Sequence, residues 1–224
     1  MLKSSVDVVR RRRLNFVVGA NGRPSRFKPW LVDVFAFLYD PIMEKSIFPK
    51  KLAADMNQHC DTLRQELSSV HGKRVLELAT GTGSAIDFLG NDNSYVGVDI
   101  SPGLLRRAAK RLRLAGFGDP ELYVSKADDL PFRDESFDLC ICVLSLNFFD
   151  DQAKALREAH RVLAPGSVFL CAVPVPERSP SGSTIRGTLY SEQELRILVH
   201  EIGFTYESIP CDNGALLYFR AIKG

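Results

Sequence analysis

Through the last two thirds of the chain, short apolar runs alternate with longer segments whose apolar residues recur at helical spacing. The runs are Val75-Leu76-Glu77-Leu78, Tyr95-Val96-Gly97-Val98, Leu122-Tyr123-Val124, Phe137 to Val143 and Val168 to Val173. Each is short, rich in strand formers and closed by glycine, proline or a polar residue, as expected of strands covered on both faces. Between them, Leu104, Ala108 and Leu112 share one helical stripe, with Ser101-Pro102 as cap and first turn. The segment Asp151 to Leu163 is amphipathic with the same period and stops at Ala164-Pro165-Gly166. Alternation of this kind predicts an α/β domain built on a parallel sheet.

The last part of the chain changes rhythm. Ser191 and Glu194 form a capping box, and the helix they open ends at Gly203. Thr205 to Ile209 and Ala215 to Ala221 follow as two strands joined by Asp212-Asn213-Gly214, a hairpin signal. The sheet is therefore expected to finish in an antiparallel pair.

The amino-terminal third divides differently. Residues 1–29 are basic and irregular, with four consecutive arginines, Arg10, Arg11, Arg12 and Arg13. They read as a flexible arm suited to contact with anionic membrane lipid or RNA phosphate, or as a solvated tail. Asn21-Gly22 marks a turn, and with Phe16-Val17-Val18 it suggests a short hairpin. Residues 30–70 are expected to form a helical cap: an apolar stretch from Trp30 to Asp40, then a helix at roughly 50–69 opened by Ile47-Phe48-Pro49. Residues 71–224 form the main domain.

Composition narrows the class. With 45% hydrophobic and 25% charged residues, the chain is expected to be a water-soluble globular protein. A net charge of +2 is too small to argue for nucleic acid by itself. The five cysteines lack paired metal spacing, so no metal is expected. Cys140 and Cys142 should face one side of a strand as buried thiols. No run reaches the length of a membrane span, and the beginning lacks the apolar core of a secretory signal. A cytoplasmic location follows as the expectation.

The chemistry concentrates at Val75-Leu76-Glu77-Leu78-Ala79-Thr80-Gly81-Thr82-Gly83-Ser84, a strand, a glycine turn and the start of a helix. Gly81 and Gly83 allow a ligand close to the main chain, and the helix N–H groups would point the same way. Glu77 stands where a carboxylate can receive a cationic ligand. A dinucleotide fingerprint needs a third glycine where Ile86 stands, which counts against a nicotinamide or flavin enzyme. Asp99 closes the next strand, the position from which an acid pairs with the two ribose hydroxyls of a nucleotide-like ligand.

The pattern Glu77-x-Ala79-x-Gly81-x-Gly83 resembles the first motif of the class I S-adenosylmethionine (SAM) methyltransferases. Lys126-Ala127-Asp128-Asp129-Leu130-Pro131-Phe132 before Phe137-Asp138, and the ALREAHRVLAPG stretch from Ala155 to Gly166, are similar to the ubiquinone/menaquinone-biosynthesis type within that class. The resemblance covers about residues 70–222. It implies an α/β, Rossmann-like class I methyltransferase fold: a seven-stranded, mostly parallel sheet with an antiparallel last strand and helices on both faces. It also implies SAM as cofactor, held by Glu77, Ala79, Thr80, Gly81, Gly83, Asp99, Ile100, Ala127, Asp128, Leu130 and Val143. Ala127 would offer its backbone N–H to the adenine, and Leu130 would cover one adenine face. Two departures stand out: Ala79 replaces the usual first glycine, and Lys126 replaces the aspartate that holds the adenine amine. Tyr39-Asp40 resembles an element that places a tyrosine near the reacting end, so Tyr39 is the candidate catalytic residue. His160 reads as structural.

The resemblance implies methyl transfer by in-line displacement to a small-molecule or lipid-like acceptor. A SAM-binding regulatory subunit without turnover, and an RNA methyltransferase guided by the arginine run, are the alternatives. The Asn/Asp-Pro-Pro-Tyr/Phe motif of nucleic-acid amino methylation is absent.

Overall fold

The computed structural model describes residues 1–19, 22–24, 27, 39–181 and 184–224, with the side chains of 39, 40 and 84 excepted. The apolar stretch expected from Trp30 lies outside these residues as far as Leu38, and so does the Tyr39 side chain.

Strands β1 (Val8–Arg11) and β2 (Leu14–Val17) lead into β3 (Arg74–Leu78), β4 (Ser94–Asp99) and β5 (Glu121–Val124). Then come β6 (Phe137–Val143), β7 (Leu163–Pro174), β8 (Phe204–Asn213) and β9 (Leu216–Lys223). They form one sheet in the order β1-β2-β5-β4-β3-β6-β7-β9-β8. From β2 to β7 every neighbouring pair is parallel. Strand β9 runs antiparallel between β7 and β8, as the hairpin signal predicted.

Side chains alternate between two cores, the period-two rule applied to a sheet covered on both sides. On β6, Cys140 and Cys142 enter one core while Leu139, Ile141 and Val143 enter the other. Helices α3 (Gln152–Val162) and α4 (Glu192–Ile202) cover the first face through Leu156, Val162, Leu195 and Val199. Helices α1 (Met56–Leu67) and α2 (Pro102–Leu114) cover the second through Leu63, Leu67, Leu105 and Leu112. Asp55, Ser101, Asp151 and Ser191 cap these four helices, each accepting from a backbone N–H three residues on. Ser191 and Glu194 form the expected capping box.

The structure corrects three expectations. Among the described residues the sheet has nine strands rather than seven, because the basic arm supplies two. Arg12 and Arg13 both take left-handed backbone angles (φ 48° and 68°), making a two-residue hairpin turn inside the arginine run. Strand β2 then lies parallel along β5, pairing Asn15 with Tyr123 and Phe16 with Val124, and Leu14 is buried in the second core. Of the Asn21-Gly22 turn signal, Asn21 lies outside the described residues; beside it Val18 bridges Pro24 in antiparallel fashion and the Gly22 N–H reaches the Gly19 carbonyl.

The helix expected at 50–69 is two elements. A wide, π-helical stretch, Met43–Leu52, contains Pro49, and the chain breaks at Ala53 (φ 48°) before α1 begins. Gly214 explains the break: a Cβ there would collide with the carbonyl oxygens of Leu52 and Ala53, so the β8–β9 turn packs directly on this kink. After the glycine turn the expected helix is only a 3₁₀ segment, Ser84–Phe88.

Candidate functional site

The chain leaves β3 toward β4 and β5, then returns to place β6 and β7 on its other side, so the sheet's switch point lies between β3 and β6. Ligands of open α/β sheets bind outside the carboxyl ends of the strands at that crevice. Here both strands end in a left-handed residue, Ala79 (φ 50°) after β3 and Leu144 (φ 57°) after β6. Non-glycine residues rarely hold this conformation, and it concentrates at functional sites. Leu144 is pinned by its N–H to the Ala172 carbonyl at 2.7 Å.

Three adjoining cavities open there, and Leu144 lines all of them. The first, about 370 Å³, is bounded by Ala79, Gly81, Asp99, Ile100, Ser101, Ala127 and Asp128. Asp99 is buried; its Oδ2 accepts from the Gly81 N–H at 2.8 Å and its Oδ1 from the Ser101 N–H at 2.7 Å. Ile100 (42% exposed) and Phe148 (60% exposed) are apolar side chains left uncovered on its walls. A carboxylate that accepts from a diol, set between apolar surfaces that can cover a flat ring, could hold a nucleoside.

The second cavity, about 220 Å³, runs from the glycine turn to α1. Glu77, Ala79, Thr80, Gly81 and Thr82 of the glycine turn line it together with Phe48, Met56, His59 and Leu63, and Val143 at the end of β6. Glu77 is buried and receives the Tyr95 hydroxyl. Burial pushes its carboxyl up to about 7, opposed by the Tyr95 and Ala85 hydrogen bonds and by Arg111. Such a carboxyl becomes a strong anionic site once a cation arrives. A Cβ on Gly81 would meet only the Ala79 carbonyl at 3.8 Å, so the turn is open to close approach.

The third cavity, about 300 Å³, lies between the π-helical stretch and the segment after β7. Met43, Ile47, Leu52, Leu144, Phe148, Pro174 and Ile185 give it an apolar lining, with Lys51 and Arg186 at its edge. Asn147 closes it; its Nδ2 donates to the Arg186 carbonyl at 2.7 Å while its own carbonyl accepts from Thr188. The broad hollow between α1 and Pro210–Asp212 is lined by Gln58, Asp61 and Arg178 and lies away from the strand ends.

Of the residues expected to hold a cofactor, Glu77, Ala79, Thr80, Gly81, Asp99, Ile100, Ala127, Asp128 and Val143 line these cavities. Two do not. Leu130 is fully buried in the first core, its N–H given to Glu158, because the loop after β5 turns its side chain under the sheet. Gly83 faces Ile86 and Ala108, and serves the packing of the turn on α2. Lys126, the departure at the adenine position, is tied to Asp150 at 2.6 Å on the cavity rim. His160 packs edge-on to Phe204, away from all three cavities. Sequence reasoning missed His59; only the fold brings α1 to the glycine turn. Among the described residues no group of His, Cys, Asp or Glu is arranged to hold a metal, and no helix is long and apolar enough to cross a membrane.

Residues 76–171 match the family described as methyltransferase domain. A demethylmenaquinone methyltransferase of Clavibacter sepedonicus is 37% identical over 112 residues, 49% of this chain and 45% of that protein. An O-methyltransferase of Aspergillus nomiae is 33% identical over 152 residues, 62% of this chain and 68% of that protein. The crystal structure of an S-adenosylmethionine-dependent methyltransferase from Mesorhizobium loti superposes with a TM-score of 0.61 at 20% identity, over 74% of this chain and 98% of that one. The chain belongs to the class I SAM-dependent methyltransferases. It spans about half the length of several curated relatives it matches, the demethylmenaquinone methyltransferases among them.

Proposed function

We propose that this chain moves the methyl group of SAM to an apolar, lipid-like small molecule. The observation that carries the reading is the third cavity: its apolar lining meets the nucleoside cavity at Leu144 and Phe148 and the glycine-turn cavity at Met43 and Leu144. An acceptor seated there would lie beside the junction where the cofactor's reacting end falls.

Asp99 would hold the ribose hydroxyls, Ile100 and Phe148 the adenine faces, the Gly81 turn the methionine chain, and Glu77 its ammonium. When bound, SAM supplies a methyl group on a sulfonium, which already contains the leaving group. The protein's part is to align the acceptor with that bond and keep water out. Alignment alone can lower a barrier by up to about 7–11 kcal/mol. Leu144, held rigidly by Ala172, and the walls Met43, Ile47 and Phe148 suit both tasks. The likeness to the demethylmenaquinone methyltransferase of Clavibacter directs the first trial toward apolar quinones.

Incubation of the purified protein with methyl-labelled SAM and a lipid extract tests the proposal. Label recovered in apolar products supports it. Label found only in polar products overturns the acceptor class, and SAM binding with no transfer to any fraction identifies a non-catalytic subunit instead.

A further inference from the structure

His59 stands on the wall of the second cavity, away from the glycine turn, and is only 4% exposed. Its ring is held against Phe48 and Tyr218, with centroids 5.1 Å and 5.7 Å away, and its Nδ1 lies 2.8 Å from the Tyr218 hydroxyl. The far end of this hydrogen-bonded chain sets where every proton sits. Asn213 Oδ1 accepts from the Asp55 N–H at 2.7 Å, and Asn213 Nδ2 donates to the Asp55 carbonyl at 3.0 Å. That reciprocal pair admits one amide orientation, so it is Nδ2 that donates to the Tyr218 oxygen at 3.2 Å. The Tyr218 proton is then given to His59 Nδ1.

A neutral imidazole that accepts at Nδ1 carries its own proton on Nε2. Burial keeps the ring neutral, lowering its pKa to about 4. Nε2 has no hydrogen-bond partner among the described residues, and it is not one of the sealed, unsatisfied polar atoms. The space it reaches is the cavity that His59 lines. Asn213, Tyr218 and His59 thus fix an N–H donor beside a hollow that Glu77 also lines.

We infer that His59 donates this N–H to the carboxylate of the cofactor's amino-acid end, while Glu77 takes the ammonium. The two residues make the second cavity a site for a zwitterion. Arg111 also lines it, but its guanidinium is engaged by Asp87 and the Thr82 carbonyl. Tyr218 and Asn213 act as positioning residues, fixing the tautomer from behind. The assignment rests on the SAM reading proposed above.

Calorimetry with SAM and with decarboxylated SAM, which lacks only the carboxylate, tests it. The wild-type protein should prefer SAM by about tenfold to a hundredfold, the range of a hydrogen bond to a charged group. His59→Phe should bring that ratio close to one while leaving the affinity for decarboxylated SAM unchanged. Tyr218→Phe keeps the imidazole but frees its tautomer, and should cut the ratio severalfold. A wild-type ratio near one, or an undiminished ratio in folded His59→Phe, overturns the assignment. So does a ratio that collapses in Arg111→Met but survives in His59→Phe. Should His59→Phe fail to fold, an unchanged ratio in Tyr218→Phe overturns it. If wild-type protein binds neither compound, it is the SAM reading beneath it that fails.

Discussion

Asp99 Oδ2 accepts the backbone N–H of Gly81 at 2.8 Å, tying the end of β4 to the turn after β3. The acid is therefore a brace for the glycine turn as well as a candidate partner for the ribose, and its other oxygen holds Ser101 at the start of α2. Removing it should act on both. Asp99→Ala is expected to lower the melting temperature and to weaken SAM binding by about 1.5–3 kcal/mol for each charge-assisted bond lost to the ligand. Thermal scans with and without SAM separate the two effects. A folded variant with unchanged affinity would remove Asp99 from the ribose.

Glu77 gives a pH prediction of definite sign. Its carboxyl is raised in the folded protein to about 7, against an ordinary value near 4.3. The folded state therefore holds a proton that the unfolded chain has released. The contribution is fully present below about pH 4 and disappears as pH rises toward about 7, an effect of order 3 kcal/mol at 1.36 kcal/mol per unit. Denaturant titrations should show Glu77→Gln nearly free of this slope.

The same group predicts how binding depends on pH. An ammonium needs the ionised carboxylate, so below about pH 7 binding must expel the proton. SAM affinity should fall by up to tenfold per pH unit below that point. Calorimetry at pH 6 in two buffers of different ionisation enthalpy should register proton release, and Glu77→Gln should not.

The arginine turn stores strain that glycine would relieve. Arg12 and Arg13 both sit at positive φ, where Asn-Gly is the favoured pair. The double variant Arg12→Asn, Arg13→Gly is expected to raise stability by roughly 0.5–1 kcal/mol. Leu14→Ala, at a residue 1% exposed, should lower it by about 2–5 kcal/mol. A neutral result for Leu14→Ala in chemical denaturation would show that the hairpin contributes nothing to the sheet.

Gly187 (φ 93°) touches Asn147 so closely that a Cβ would overlap its carbonyl oxygen. Gly187→Ala should push the 184–188 segment away from Asn147, with loss of the Thr188–Asn147 and Asn147–Arg186 hydrogen bonds. Binding of an apolar acceptor is expected to weaken while SAM affinity holds, since Gly187 lines neither cofactor cavity. Equal losses for both ligands would count against separate cavities.

The parallel core was legible because burial on two faces leaves continuous apolar runs, as in Phe137 to Val143, and because Ser101, Asp151 and Ser191 stand ahead of helical stripes. The first hairpin was hidden for a physical reason. Its turn uses two arginines in a backbone region that sequence rules reserve for Asn and Gly. Its partner β5 is remote in sequence, so no local signal marks the pairing. The glycine-turn lining of the cavities could be read from Glu77 to Gly81 and at Asp99, where chemistry and element coincide. His59 could not: nothing near it distinguishes a buried helix histidine from one presented to a cavity. Only the β8–β9 pair, through Asn213 and Tyr218, gives its ring a direction.

The seating of β2 on β5 has a consequence for biogenesis. Asn15 waits for Tyr123, about a hundred residues downstream, before its outer ladder can close. A two-stranded ribbon is marginal by itself in water, so until β5 leaves the ribosome this basic hairpin has no stable berth. Nascent chains caught in that interval would carry an unprotected strand edge on β2 and, later, another on β5, and chaperone capture or strand exchange between neighbours would compete with the native closure.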